Sequence, residues 1–125
     1  MILDTNALSA FADGDENLKS KLLRHTTAHL PVIVLGEYRY GLRASRWRRE
    51  RERWLQDLEE IFEVIPITLN TTHYYAQVRG ELRELGKPIP ENDVWIAALS
   101  REFSLEVLSR DAHFDHVPGL VRVVW

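Results

Sequence analysis

The chain contains no cysteine. Disulfides and thiolate zinc sites are therefore excluded, and a reducing compartment is the natural expectation. Long hydrophobic runs are missing too. The longest, Leu30 to Leu35, is far too short to span a bilayer. No charged leader with an apolar stretch and a small-residue cleavage site precedes it, so a cytoplasmic protein with no membrane association is expected. Glycine and proline are sparse and follow no period, which argues against fibrous or low-complexity architecture. No glycine-rich phosphate loop or dinucleotide fingerprint occurs, and no internal repeat.

What is present describes an ordinary globular protein. With 125 residues, 45% of them apolar and 28% charged, the chain is long enough to bury a substantial core, and one domain over 1–125 is expected. The net charge of −3 says little by itself, but its distribution says more. Arginines crowd the stretch from Arg43 to Arg53, while Asp4, Asp93, Asp111 and Asp115 stand in apolar or lightly charged surroundings. Acids able to hold a metal, beside arginines able to hold phosphate, are what a metal-dependent nuclease requires.

Hydrophobic patterning divides the chain into alternating strands and helices. Met1 to Leu3 is a short buried strand, and Ala7 to Ala12 a helix capped by Thr5 or Asn6. Asp13-Gly14-Asp15 is a turn, and Glu16 to His25 a second helix. The β-branched run from His29 to Val34 reads as strand two, with Leu35 to Ser45 as the helix after it. Arg46 to Phe62 reads as a helix with a stripe of Trp47, Trp54, Leu58, Ile61 and Phe62, and with Arg46/Glu50 and Arg48/Glu52 as i,i+4 pairs. Glu63 to Thr68 is a third strand, at an edge because Pro66 cannot donate to a ladder. A helix from Asn70 to Leu85, with Tyr74, Val78, Leu82 and Leu85 on one face, stops at Gly86. After a loop at Lys87 to Pro90 come a helix from Glu91 to Phe103 and strands at Leu105 to Ser109 and Leu120 to Trp125. The pattern predicts a three-layer α/β/α sandwich on a mostly parallel five-stranded sheet.

On that plan Asp4 closes strand one, Glu37 lies in the helix after strand two, Asp93 in a helix first turn, and Asp111 just past strand four. All four converge on the rim beyond the carboxyl ends of the strands, where open α/β sheets bind ligands. An all-carboxylate set without matching histidines suits Mg²⁺, with Mn²⁺ as a substitute, better than zinc. Such a cation can activate water and stabilise a phosphoryl transition state.

The stretches MILDTN, LGEYRYG, PENDVWIAA and SRDAHF resemble, in order and spacing, the motifs of the PIN-domain ribonucleases, most closely the VapC-type toxins of type II toxin–antitoxin modules. The likeness covers nearly the whole chain. It implies that Asp4, Glu37, Asp93 and Asp111 bind the metal, that RNA is cut endonucleolytically, and that an antitoxin protein pairs with the chain. As helpers it implies Asn6 holding water at the metal and Thr5 or Ser109 orienting carboxylates, while Asp115 follows SRDAHF closely enough to reach the rim, with a surface role as its plainer reading.

Each residue also has a plainer role. Asp4 is able to cap the following helix, Asp93 to favour a helix dipole, Asp111 to make a turn, and Glu37 to sit solvated on its helix. The arginine run alternates with Glu50 and Glu52 as a solvated face does, which leaves Arg43 and Arg46 as the better RNA contacts. Trp47, Trp54, Tyr74 and Tyr75 read as core or interface rather than base-stacking platforms, and aromatic helix faces offer an antitoxin groove or a homodimer surface. Rival classes fare worse. A receiver domain needs a lysine after a late strand, and none follows Lys87; an aspartyl phosphatase needs an acid two residues after Asp4, where Asn6 stands. An RNA-processing nuclease of the same fold without an antitoxin, and a metal-binding interaction module acting in complex, stay open as alternatives.

Overall fold

The computed structural model describes residues 1–24 and 27–125. Its elements run β1 (Ile2–Leu3), α1 (Thr5–Ala12), α2 (Glu16–Leu23), β2 (His29–Pro31), α3 (Val32–Leu42), α4 (Arg48–Ile61), β3 (Glu63–Ile65), α5 (Thr71–Glu84), α6 (Glu91–Phe103), β4 (Val107–Leu108), a short 3-10 helix (Ala112–His116) and β5 (Arg122–Val123). His25, the expected end of the second helix, lies outside the described residues.

The five strands form one sheet in the order β3-β2-β1-β4-β5, and every pairing is parallel. The chain lays β2 and β3 outward on one side of β1, then returns to place β4 on the other. Strand order therefore reverses between β1 and β4, the point at which such sheets open a binding crevice. Neighbouring residues on a strand face opposite sides of a sheet. Ile2 and Leu3, and likewise Val107 and Leu108, are all fully buried, so both faces are covered and the architecture is three-layered. As expected, β3 is an edge strand, although Pro66 falls just beyond it.

The second strand is shorter than its composition implies. It ends at Pro31, and Val32 to Val34 form the first turn of α3. Pro31 sits at φ −62°, the value its ring imposes and one suited to a helix start. Val34, Leu35, Tyr38 and Leu42 are the buried residues of α3, a helical spacing. Burial of that stripe outweighs the β preference of the valines and isoleucine. One consequence is functional: Glu37 is placed in the second turn of α3.

The arginine-rich helix also differs. It begins at Arg48 and buries Leu55 and Leu58, with Trp54 and Phe62 packed against the core. Trp47 and Ile61, expected on the buried stripe, are 49% and 75% exposed. The expected Arg46/Glu50 and Arg48/Glu52 pairs do not form among the described residues. Instead Arg39 of α3 pairs with Glu52 and Glu59, and Arg51 with Asp13, so charge ties α4 to α3 and to the end of α1. On α5, Val78 and Leu82 are buried as expected, but Tyr75 rather than Tyr74 packs with them, and Leu85 is exposed. Gly86 ends that helix at φ +67°, letting the Lys87 N–H close on the Leu82 carbonyl at 3.0 Å.

The end of α6 is less comfortable. Its C-cap, Ser104, is a non-glycine residue in the left-handed region at φ 53°, ψ 46°. A Cβ in that conformation costs about 1 kcal/mol. Ser104→Gly is expected to stabilise the protein by roughly 0.5–1 kcal/mol in urea unfolding; a loss of stability would contradict the cap assignment.

Candidate active site

The main core cluster brings Ile2, Leu3, Leu30 and Leu108 together and so fixes the ends of β1 and β4 side by side. Asp4 leaves β1 in extended conformation (φ −85°, ψ 177°) and caps α1, its plainer sequence role, so that neither Thr5 nor Asn6 is the cap. One carboxylate oxygen accepts from the Asn6 and Ala7 N–H groups at 2.8 and 3.2 Å. The other accepts from the Ser109 hydroxyl at 2.6 Å and the Asn6 amide at 3.1 Å. Asp4 is only 4% exposed, so these four bonds hold it rigidly at the floor of the crevice.

Ser109, at the end of β4 and fully buried, is the hub beneath the cleft. Besides donating to Asp4, its oxygen accepts from the Asp111 N–H at 2.9 Å and the Asn6 amide at 3.3 Å. The Asn6 carbonyl oxygen accepts from the Arg110 N–H at 3.1 Å. Asn6 is thus a clip joining the ends of β1 and β4, with its amide turned to Asp4 rather than free for water. Thr5 donates to Glu37 at 2.7 Å and fixes that carboxylate across from α1.

Asp4, Glu37, Asp93 and Asp111 line one cleft of about 540 Å³ together with Thr5, Asn6 and Asp13. Two residues in this neighbourhood escape a reading of the sequence. Asp13 ends α1 at the cleft rim, where Arg51 pairs with it at 3.0 Å and also donates to the Ala12 carbonyl. Its place in a turn motif hid it. His113, in a set of acids for which no matching histidine was expected, turns its Nδ1 to 3.0 Å from Asp111 and 3.6 Å from Asp93. Its spacing of two from Asp111 was the available signal, because Asp111 caps the 3-10 helix and accepts from the His113 N–H. Asp115 stays out of the cleft. It makes a two-pronged pair with Arg122 at 2.8 and 2.7 Å, and Arg122 reaches the Ser109 carbonyl at 3.2 Å. Arg43 and Arg46 are exposed and do not line the cleft.

Crowded carboxylates raise one another's proton affinity. Burial pushes the Asp4 carboxyl up, against the pull of its bonds from Ser109, Ala7 and Asn6. Asp93 is pushed up to about 6, first by burial and then by the charges of Asp111 and Asp4, with His113 opposing. Such a set has more negative charge than its surroundings neutralise. Oxygen donors in that state fit a hard divalent cation, and ligand atoms of Asp93, Asp111 and His113 lie within 4.8 Å of one another.

The same crowding carries a pH dependence. Asp93 holds its proton more tightly in the folded state (about 6) than its usual 3.8. Its contribution therefore favours folding at low pH and is lost as pH rises through that window. In chelator at pH 7.5, Asp93→Asn is expected to stabilise the protein by about 2 kcal/mol, somewhat less than two pK units convert to because the cleft is open to water. The gain should shrink to a small fraction near pH 4 and vanish below the ordinary carboxyl value of 3.8. Equal melting temperatures for variant and wild type at both pH values would contradict the electrostatic account.

The PIN domain family model matches residues 1–120. Ribonuclease VapC5 of Mycobacterium tuberculosis is 30% identical over 98% of this chain and 90% of its own length. The crystal structure of VapBC2 from Rickettsia felis, bound to a DNA fragment from its promoter, superposes with a TM-score of 0.89 at 24% identity, covering 99% of this chain and 97% of that one. A Mycobacterium tuberculosis member of the VapBC family of toxin–antitoxin systems, VapBC-5, gives a TM-score of 0.75 at 26% identity, covering 98% and 94%. Four acids at the switch point of a 3-2-1-4-5 parallel sheet, and a family model spanning nearly the whole chain, lead to one conclusion: this chain belongs to the PIN-domain family.

Proposed function

We propose that this protein is a metal-dependent endoribonuclease that hydrolyses RNA phosphodiester bonds in the cytoplasm, and that it is the toxin half of a toxin–antitoxin pair. The observation that carries the reading is the convergence of Asp4, Glu37, Asp93 and Asp111 on one cleft, with two of these carboxyls driven above their usual pKa. The relatives named ribonuclease and the toxin–antitoxin neighbour support the substrate and the partner. Among the described residues, no helix is long and apolar enough to cross a membrane.

In this reading Asp93, Asp111, Glu37 and Asp4 hold Mg²⁺, for which Mn²⁺ substitutes. Oxygen donors favour both ions over softer metals. A divalent cation in such a cluster supplies Lewis acidity, offsetting charge that develops on a phosphodiester and making water a competent nucleophile near neutral pH. The protein's own contribution is positioning. Ser109 and Asn6 lock Asp4, Thr5 locks Glu37, and the Ser109–Asp111 N–H bond sets the third acid. His113 stands in hydrogen-bond range of Asp111 and offsets part of the acid charge when protonated. No side chain is needed as a covalent nucleophile.

The test uses purified protein and single-stranded RNA with Mg²⁺ or Mn²⁺. Cleavage is expected with either ion and is expected to stop on addition of chelator. Cleavage that continues unchanged in excess chelator would remove the metal from the reading. Co-purification with a small partner encoded beside this chain tests the antitoxin. An active nuclease with no such partner would point to RNA processing instead.

A further inference from the structure

A second groove leaves the acid cleft between α1 and α3 and reaches the start of α4. It is about 360 Å³ in volume, shares Thr5, Ser9, Asp13 and Glu37 with the cleft, and runs on to Trp47 and Arg51. The two tryptophans of this region part company there. Trp54 packs edge-on against Phe11 and tilts against Tyr38 in the core. Trp47 stays half exposed on the loop before α4, with the Arg46 guanidinium 4.9 Å from its ring centroid. Arg51 is committed to Asp13 and the Ala12 carbonyl, whereas Arg46 has no carboxylate partner among the described residues.

A half-exposed indole, with a guanidinium laid over it that no carboxylate among the described residues claims, is chemistry that binds single-stranded nucleic acid: a base stacks on the exposed ring surface, and the cation turns to the backbone. Continuity with the acids supplies the direction. A polynucleotide with one phosphate at Asp4 and Asp93 must lay a neighbouring nucleotide along a groove leaving them, and this groove shares its wall with the cleft.

We propose that Trp47 is a specificity-determining platform that stacks the nucleobase beside the scissile phosphate of single-stranded RNA, with Arg46 meeting the adjoining phosphate. The proposal rests on the ribonuclease reading above. It assigns Trp47 to substrate placement rather than chemistry, so its loss falls on KM and not on kcat. Because the ring is half exposed, its removal leaves the fold intact.

The test is carried out on the full chain with Trp47→Ala and Trp47→Phe. An RNA oligonucleotide is cleaved with Mg²⁺, alongside the same strand carrying an abasic ribose beside the cleavage site. Trp47→Ala is expected to raise KM about tenfold on intact RNA, with kcat within about twofold and the melting temperature unchanged. Trp47→Phe should recover most of the loss. On the abasic strand wild type and Trp47→Ala should have equal KM, because the stacked base is absent. An equal loss on both strands, or no change on either, overturns the proposal.

Binding is measured separately in chelator, where cleavage is absent. Titration with the oligonucleotide should quench wild-type tryptophan fluorescence, and Trp47→Phe should lose that component. If no RNA is cleaved yet the quench is present and depends on Trp47, the stacking platform stands and the ribonuclease reading fails. If Trp47→Ala leaves RNA binding intact but abolishes capture of a co-expressed partner protein, the groove belongs to the protein partner and the proposal falls.

Discussion

Asp93→Asn is expected to reduce RNA cleavage by about 10²–10⁴-fold while making the metal-free protein more stable at neutral pH. The substitution keeps the side chain's shape and removes its charge. Loss of one charged ligand from a cluster that stabilises a phosphoryl transition state removes several kcal/mol, and each factor of ten corresponds to about 1.4 kcal/mol of barrier. Stability moves the other way because Asp93 is destabilised where it stands. Burial and the charges of Asp111 and Asp4 lift its pKa to about 6, and an amide has no charge to desolvate. Opposed changes in activity and stability mark a residue kept for chemistry at the expense of the fold. A purely structural Asp93 would move both in the same direction. The measurement is single-turnover cleavage of labelled RNA, paired with thermal unfolding in chelator. A folded variant that cleaves at the wild-type rate would show that the cleft has been assigned wrongly.

Phe114→Ala is expected to destabilise the protein by about 3–5 kcal/mol, enough to remove much of the stability of a domain this size. Phe114 is the largest of the fully buried side chains and belongs to the main core cluster. It anchors the 3-10 helix that follows β4, whose cap is Asp111 and whose second residue is His113. Truncation therefore leaves a cavity directly beneath an acid of the cleft. Cleavage should fall even below the melting transition, because Asp111 loses the packing that holds its turn. Phe114→Leu keeps most of the volume and is expected to cost about 1–2 kcal/mol. Urea unfolding decides it: a Phe114→Ala cost under about 1 kcal/mol would mean that the 3-10 helix is not held through this ring.

The four acids of the cleft were legible because each stands beside a strong local signal. Asp4 and Asp111 follow short apolar strands, Asp93 lies in the first turn behind Pro90, and Glu37 follows an apolar run. The remaining contacts were not legible in the same way. Ser109 and Asp4 meet across 105 positions; the family resemblance, and no periodicity, pointed to Ser109 as a hydroxyl that orients a carboxylate. No histidine was expected to match the acids, yet the turn that Asp111 caps swings the His113 ring onto two of them. Asp115 shows the converse. It is close in sequence to the cluster, but Arg122 of β5 draws it away.

By itself, then, the sequence determined the alternation of strands and helices, the parallel sheet, the absence of disulfide chemistry, and which acids stand at strand ends and helix starts. These follow from signals complete within a few residues: side-chain period, turn chemistry and apolar runs. The tertiary structure alone decided that Asp4 caps α1 while forming the floor of the cleft. It decided that a β-branched run after Pro31 winds into a helix, and that the charges of α4 pair outward, Glu52 and Glu59 with Arg39 of α3 and Arg51 with Asp13, rather than along their own helix. It also separated Trp54, which is packed, from Trp47, which is not. The physical reason is common to all of these. Burial and hydrogen-bond partnership are properties of the space between elements, and that space exists only once β1 and β4 have been laid side by side.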